Sequence, residues 1–214
     1  MNEKEYPSPV QWLRILFYIE LVNLGLGLLG FLPIESAWLD WPRRILMAGS
    51  VYCMFKLTAS GRRYLQAAIF RAVQLVCGVT VGIMSAVLIR HWVSAGIAQT
   101  STLYSIFSGG LSTAAMLASW IATYQLYNAH GDLVEEKDPA LAKKWRNLFY
   151  ICLVVSVLVS LLSAVMTALQ LVTQLPAPVS SAIFTALLLT SDILALVAAV
   201  YLYRTVQTIE NGDE

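Results

Sequence analysis

Charged side chains are scarce in this sequence. Asp, Glu, Lys and Arg together make up 13% of its 214 residues, whereas hydrophobic residues make up 58%. Because about a quarter of the residues in a soluble globular domain are charged, this deficit argues against a soluble protein. The net charge is only +1, so the basic excess expected of a nucleic-acid-binding protein is also missing. The apolar residues form long runs between short polar segments, which is typical of membrane-spanning α-helices.

Cysteine and histidine are scarce as well. The three cysteines, Cys53, Cys77 and Cys152, form no C-x-x-C pair, so we interpret them as small packing residues rather than zinc ligands or disulfide partners. Neither histidine belongs to an H-E-x-x-H motif. No apolar run combines a Ser or Thr nucleophile with a His or Lys base. The sequence therefore predicts no enzymatic activity, no cofactor and no metal.

Six apolar runs predict the fold. We expect an all-α transmembrane bundle in a single domain, residues 1–214, built as three tandem helical hairpins with both termini cytoplasmic. The spans are predicted at about 12–32, 42–58, 64–90, 102–127, 146–172 and 179–203. A span needs about 20 residues, so the second run is the doubtful one.

Three connections are predicted between these spans. Residues 33–43 are expected to form an interfacial segment, and residues 173–178 a tight outer turn. The longest cytoplasmic loop is predicted at 128–145, where Asp138-Pro139 suits an N-cap followed by proline at the first helical position. His130 and several acidic residues of this loop could bind a metal, but they lack a recognised ligand spacing. We interpret the segment as a solvated acidic loop.

The distribution of basic residues supports the second span. With six spans and a cytoplasmic N-terminus, eleven of the 14 Lys and Arg residues flank the cytoplasmic ends and three flank the outer ends. This asymmetry follows the positive-inside rule. Without the second span, the cluster from Lys137 to Arg146 would lie on the side opposite the N-terminus, and most of the asymmetry would disappear.

An internal similarity supports the three hairpins. The segments 14–22 and 146–154, which open the first and fifth spans, match at seven of nine positions. The third span opens more loosely, with Arg62-Arg63-Tyr64 against Lys143-Lys144-Trp145. The even spans also end alike, at 54–56, 126–128 and 202–204. Chance likeness between apolar, aromatic-flanked segments is the alternative. Gly78, Gly82 and Gly109 are predicted to lie on packing faces within the chain, and a homodimer seam is the alternative.

Two charged residues are predicted at similar membrane depth. Glu20 lies roughly 12 Å and Arg71 roughly 10 Å from the cytoplasmic ends of their spans, at about 1.5 Å per residue. Because a charge inside the bilayer costs at least about 2.5 kcal/mol, a structural ion pair is the favoured hypothesis. Independent snorkelling to the interface and a functional relay are the alternatives.

Three further polar residues lie deeper. Asp192 is roughly 18 Å from the cytoplasmic end of its span, and Asn23 and Gln74 lie at roughly 15–17 Å. They are predicted to form one polar layer. A desolvated Asp192 could carry a proton, or it could hold the sixth span in register through local hydrogen bonds.

Two functional hypotheses follow. The first is an accessory or structural component of the lipid bilayer that binds another integral membrane protein or self-associates. The second is a small transporter or channel that uses the polar layer around Asp192, since internal repeats are common in transporters. Short loops favour a bacterial cytoplasmic membrane as the location.

Overall fold

The computed structural model describes residues 9–29, 36–94, 102–173 and 177–211. Within these ranges the chain forms six α-helices and one short 3-10 helix, which confirms the all-helical prediction. A 3-10 turn at Leu57–Ser60 joins the second helix to the third. The α-helices are α1 (Pro9–Leu29), α2 (Ser36–Lys56), α3 (Arg62–Ser94), α4 (Thr102–Val134), α5 (Pro139–Thr173) and α6 (Ala177–Glu210).

Helix length and composition identify a membrane protein. Each helix except α2 contains a segment that is long and apolar enough to cross a membrane. Helices α3 to α6 contain 33 to 35 residues, so each is about 50 Å long at 1.5 Å per residue. A hydrocarbon core is only about 30 Å thick. Large apolar side chains such as Ile83, Ile106 and Leu161 are exposed on these helices, as expected of a lipid-facing surface.

The helices are arranged as a ring. Each helix packs against the next one along the chain, and α1 packs against α6. Helices α3 and α4 share the most extensive interface. This closure brings the first and last helices together and leaves space inside the ring.

The main hydrophobic core lies at one end of this ring. The first turns of α1, α3 and α5 meet the last turns of α2, α4 and α6 there, and we call this region the packed end. Its largest fully buried side chains include Trp145, Tyr64, Leu16 and Met54. The connections between the hairpins are also short at this end. The packed end therefore holds the helices in fixed relative positions where their membrane-spanning parts begin.

The predicted loop at 128–145 is wrong over most of its length. Helix α4 continues to Val134, and α5 begins at Pro139. The apolar face of both helices persists through the segment, since Val134, Leu141 and Trp145 are buried. The predicted N-cap is confirmed: Asp138 Oδ1 accepts a hydrogen bond of 2.9 Å from the Leu141 backbone N–H.

The predicted interfacial segment at 33–43 is helical over its described part. Residues 36–43 belong to α2, with Pro42 inside the helix, and residues 33–35 lie outside the described ranges. Within this part of α2, Arg43 and Arg44 contact neighbouring helices. Of the predicted outer turn, residues 174–176 lie outside the described residues.

Most helix bounds extend beyond the predicted spans, although α2 ends at Lys56, before the predicted end at 58. Helix α1 begins three residues before the predicted span, at Pro9, α3 runs to Ser94, and α6 extends to Glu210. Hydropathy identifies only the apolar part of each helix, whereas the helices continue into the polar regions beyond it.

Candidate functional site

A cavity of about 550 Å³ lies inside the ring beside the packed end. Helices α1, α3, α4, α5 and α6 line it, with apolar walls that include Leu16, Met116, Val155 and Leu194. Its volume falls within the range of about 300–1,000 Å³ that is usual for small-molecule sites. The cavity extends along α4 from His130 to Met116, a distance of about 21 Å at 1.5 Å per residue.

Four polar side chains lie together in one part of the cavity. Glu20 of α1, Arg71 of α3, Tyr127 of α4 and Cys152 of α5 all belong to its lining. The Tyr127 hydroxyl lies beside the Cys152 thiol and within electrostatic range of both Glu20 and Arg71. We call these four residues the polar cluster. It places one carboxylate and one guanidinium inside an otherwise largely apolar cavity.

Glu20 and Arg71 share the cavity, but they do not form the predicted direct ion pair. Among the described residues, no Arg71 nitrogen lies within 4.0 Å of a Glu20 oxygen. Arg71 Nη1 instead donates a hydrogen bond of 3.1 Å to Gln74 Oε1. The Arg71 Nε atom is buried and has no hydrogen-bond partner in the described part of the chain. Both charges therefore retain unused hydrogen-bonding capacity.

The internal similarity explains why these residues meet. The alignment of 14–22 with 146–154 matches Glu20 with Cys152. When the match of Tyr64 with Trp145 is extended along α3 and α5, Arg71 also aligns with Cys152. Glu20, Arg71 and Cys152 thus occupy one equivalent position in α1, α3 and α5. Equivalent positions converge in a ring of similar hairpins, which is why three residues distant in sequence line one cavity.

Burial supports the same equivalence. Leu16 and Leu148 are both buried, at 0% and 3% exposure, whereas Tyr18 and Tyr150 are both 61% exposed. These pairs match in the alignment of 14–22 with 146–154. Matched residues therefore face matched environments on α1 and α5.

Aromatic residues close the cavity at the packed end. His130 and Trp145 line it there, and their ring centroids are 4.8 Å apart. The Tyr64 hydroxyl and His130 Nδ1 form a buried hydrogen bond of 2.9 Å. Trp145 Nε1 donates to Thr205 Oγ1 over 3.0 Å. These contacts join α3 to α4 and α5 to α6 and form a rigid floor.

The structure corrects the interpretation of His130 as part of a solvated loop. The side chain is 1% exposed and faces the bundle, while the acidic residues near it in sequence face outward. Asp132 and Glu135 accept hydrogen bonds from Arg146, and Asp132 also pairs with Arg63. Hydrogen bonding to Arg146 holds the pKa of Glu135 below its ordinary value.

Asp192 lies outside the lining of the cavity. Its neighbour Ser191 belongs to that lining, whereas the Asp192 carboxylate lies against α1. A Cβ atom added to Gly27 would come within 2.9 Å of Asp192 Oδ1. Arg43 of α2 lies within electrostatic range of the same carboxylate, and its Nη2 donates a hydrogen bond of 2.8 Å to the Leu26 carbonyl oxygen.

No hydrogen bond joins the members of the predicted polar layer in the described part of the chain. Gln74 accepts from Arg71, and Asp192 lies against Gly27. Asn23 is exposed on α1 and has no hydrogen-bond partner among the described residues. The three side chains therefore have three different environments.

The predicted packing glycines also differ from one another. Gly82 lies against the Arg44 guanidinium of α2, so it does allow a close approach between helices within the chain. A Cβ atom added to Gly78 or Gly109 would have no atom of another helix within 4 Å among the described residues. The small-residue pattern was thus correct for one of these three positions.

Tyr127 and Cys152 were missed as site residues by sequence reasoning. A tyrosine at a span end suits an interface anchor, and a cysteine in an apolar run suits packing. Only the alignment of Cys152 with Glu20 and Arg71 could have identified Cys152 as a site residue from the sequence.

Comparisons with protein-family models, curated proteins and solved structures find no match to this chain.

Proposed function

We propose that the chain is a six-span, multi-pass protein of a bacterial cytoplasmic membrane, with both termini on the cytoplasmic side. The contacts of α2 with neighbouring helices support counting α2 as a membrane span, which brings the number of spans to six. Asp40, Arg43 and Arg44 lower the apolarity of this helix, but Arg43 donates to a carbonyl of α1 and Arg44 lies against Gly82 of α3. A helix whose arginines contact neighbouring helices can cross the membrane. The asymmetry of basic residues supports the orientation.

Reporter fusions test this topology. Alkaline phosphatase is active only outside the cytoplasm, and green fluorescent protein fluoresces mainly inside it. With six spans, fusions after Gly61 and at the C-terminus should both fluoresce. A phosphatase-active C-terminal fusion combined with a fluorescent N-terminal one would show an odd number of spans.

We propose that the protein binds a small molecule in the cavity and carries it across the membrane. The observation behind this proposal is the polar cluster, in which Glu20 and Arg71 share one cavity without pairing directly. Charges at membrane depth are costly and usually mark a substrate or ion pathway. An apolar cavity with a few polar groups is the usual form of a small-molecule site.

The polar layer around Asp192 stays a second route for such transport. Asp192 lies against Gly27 rather than in the cavity lining, so the polar cluster is the better supported site. The variants Glu20→Gln and Asp192→Asn distinguish the two candidate sites, because each variant removes the carboxylate of one site only.

Access to Cys152 tests the carrier proposal. In a chain carrying Cys53→Ala and Cys77→Ala, Cys152 is the remaining thiol, and it lines the cavity. A carrier that opens to each side in turn should let methanethiosulfonate ethyltrimethylammonium, a permanently charged thiol reagent that does not cross the bilayer, modify Cys152 from either face of the membrane. The matched control replaces Cys152 by Ser. Modification from neither face would refute a carrier, and modification from one face would leave a binding pocket without transport.

A partner-binding role is a second candidate, and Asn23 favours it. Its carboxamide is exposed on a membrane-spanning helix and unpartnered within the described ranges. An unpaired polar group facing hydrocarbon is costly, and a neighbouring helix can satisfy it. If α1 binds another integral membrane protein or a second copy, Asn23→Leu should weaken co-purification or self-association in mild detergent. Thr190→Val is the control, since this exposed hydroxyl already donates to the Ala186 carbonyl.

A further inference from the structure

We propose that the ligand of the cavity is a zwitterion with an apolar body, whose cationic group binds Glu20 and whose anionic group binds Arg71. This inference rests on the proposed binding function and adds the chemical class of the ligand. It follows from the charges of the polar cluster, from their hydrogen bonds and from the shape of the remaining cavity.

Glu20 and Arg71 do not pair with each other, which leaves both charges able to bind a ligand. Both side chains line the same cavity, yet Arg71 donates its 3.1 Å hydrogen bond to the neutral Gln74 amide instead of to Glu20. The net charge of the polar cluster is zero when Glu20 is ionised and Arg71 protonated. A ligand with one charge would leave the other charge of the cavity unmatched, and an unmatched charge at this depth is costly. A zwitterion matches both.

The alignment of the helices fixes the orientation of the head group. Glu20 and Arg71 occupy equivalent positions in α1 and α3, so they lie at similar depth and the head group lies across the bundle. The Tyr127 hydroxyl lines the same cavity within electrostatic range of both charges and can donate or accept one further hydrogen bond. The head group is therefore held from three helices.

The apolar body extends away from the packed end. His130 and Trp145 block that end through their contacts with Tyr64 and Thr205. In the other direction the lining continues from Tyr127 to Met116, about 16 Å along α4. A volume of about 550 Å³ suits one drug-sized molecule. An amphipathic amino acid from solution and a single-chain lipid from the membrane share the required chemistry.

Protection of Cys152 measures occupancy of the cavity. The chain with Cys53→Ala and Cys77→Ala is placed in nanodiscs of phosphatidylglycerol and treated with N-ethylmaleimide in the presence of each probe. Tryptophan is compared with tryptamine, which lacks the carboxylate, with indole propionate, which lacks the amine, and with uncharged indole. Lysophosphatidylcholine is compared with lysophosphatidic acid. The shift in Tm caused by each probe is a second readout, because a ligand of the folded state stabilises it.

We expect one zwitterion to protect Cys152 and raise Tm at a concentration at least about tenfold below that of its counterparts with charge of one sign only, equal to about 1.4 kcal/mol. If tryptophan is the zwitterion that protects Cys152, the ligand is a solute. If lysophosphatidylcholine is, the ligand is a lipid. Glu20→Gln should make tryptophan no better than indole propionate, and Arg71→Gln should make it no better than tryptamine. If the lipid is the ligand, Arg71→Gln should weaken the binding of both lipids. Glu20→Gln should weaken the binding of only the zwitterionic lipid.

Matched controls remove charges outside the cavity. Glu210→Gln and Arg63→Gln act on residues of the packed end that form salt bridges with Arg14 and Asp132, and both should keep the preference for the zwitterion. Equal potency of charged and uncharged probes, or no effect of any probe on either readout, would overturn the inference. The carrier proposal would survive that result if Cys152 still reacts from both faces of the membrane.

Discussion

Trp145 and Thr205 are joined by a hydrogen bond of 3.0 Å from the indole Nε1 to the hydroxyl oxygen, and both side chains are at most 1% exposed. The bond ties the start of α5 to the end of α6. Tyr64, which aligns with Trp145, makes the corresponding bond from α3 to His130 of α4. The second and third hairpins are therefore fastened in a similar way, at the end where the cavity is closed.

Thr205→Val should lower the stability of the packed end. The substitution keeps the shape of the side chain but leaves the buried Trp145 N–H without its acceptor, and a loss of about 1–3 kcal/mol is expected for a buried donor left unpaired. Reversible unfolding in mixed micelles, followed by tryptophan fluorescence, measures the loss. A double-mutant cycle with Trp145→Phe separates the bond from the packing of the ring. Additive effects of the two substitutions would show that the bond contributes nothing.

The fold was predictable from the sequence because apolar length alone identifies a membrane helix. Helix ends were less predictable, since the polar turns around Val134 and Leu141 are helical through packing that hydropathy does not register. The polar cluster was partly predictable. Glu20 and Arg71 stood out as charges in apolar runs, whereas Tyr127 and Cys152 resembled ordinary anchors and packing residues. Their place in the cavity depends on how the helices close into a ring.

Gly27→Ala and Gly25→Ala should have opposite effects on stability. Both glycines lie in α1, but a Cβ at Gly27 would come within 2.9 Å of Asp192 Oδ1, whereas a Cβ at Gly25 meets no other helix within 4 Å among the described residues. Overpacking at Gly27 should cost about 1–3 kcal/mol. Alanine at Gly25 should add up to about 1 kcal/mol through helix propensity. The same unfolding assay compares the two, and equal effects would contradict the contact between α1 and α6.

Glu135 should contribute a pH-dependent part of the stability of the packed end. Its pKa is held below the ordinary value of a glutamate by hydrogen bonds from Arg146. A carboxyl with a lowered folded-state pKa stabilises the protein above its unfolded-state pKa, and the contribution is lost as pH falls through the folded-state value. Unfolding measured between neutral pH and pH of about 3 should therefore show a smaller acid loss in Glu135→Gln than in the parent chain.

Salt concentration provides the control for this effect. The pair is exposed, so high salt should weaken it. Glu136→Gln changes an exposed neighbour for which no bond to Arg146 is found in the described chain, and it should leave the acid dependence as in the parent. An unchanged acid dependence in Glu135→Gln would show that the bond to Arg146 adds no stability.

Asp192→Asn separates a structural from a transport role for the carboxylate. The asparagine side chain has nearly the same shape and fits against Gly27, but it no longer attracts Arg43, which lies within electrostatic range. If Asp192 only positions α6 against α1 and α2, the variant should lose up to about 2 kcal/mol of stability and keep two-sided modification of Cys152. Arg43→Met should act in the same direction, because it removes the same attraction and also the bond to the Leu26 carbonyl. Glu20→Gln, inside the cavity, should instead alter ligand protection of Cys152 with little loss of stability. A folded Asp192→Asn protein in which Cys152 reacts from one face only would show that transport needs the carboxylate, as the transporter hypothesis around Asp192 predicts.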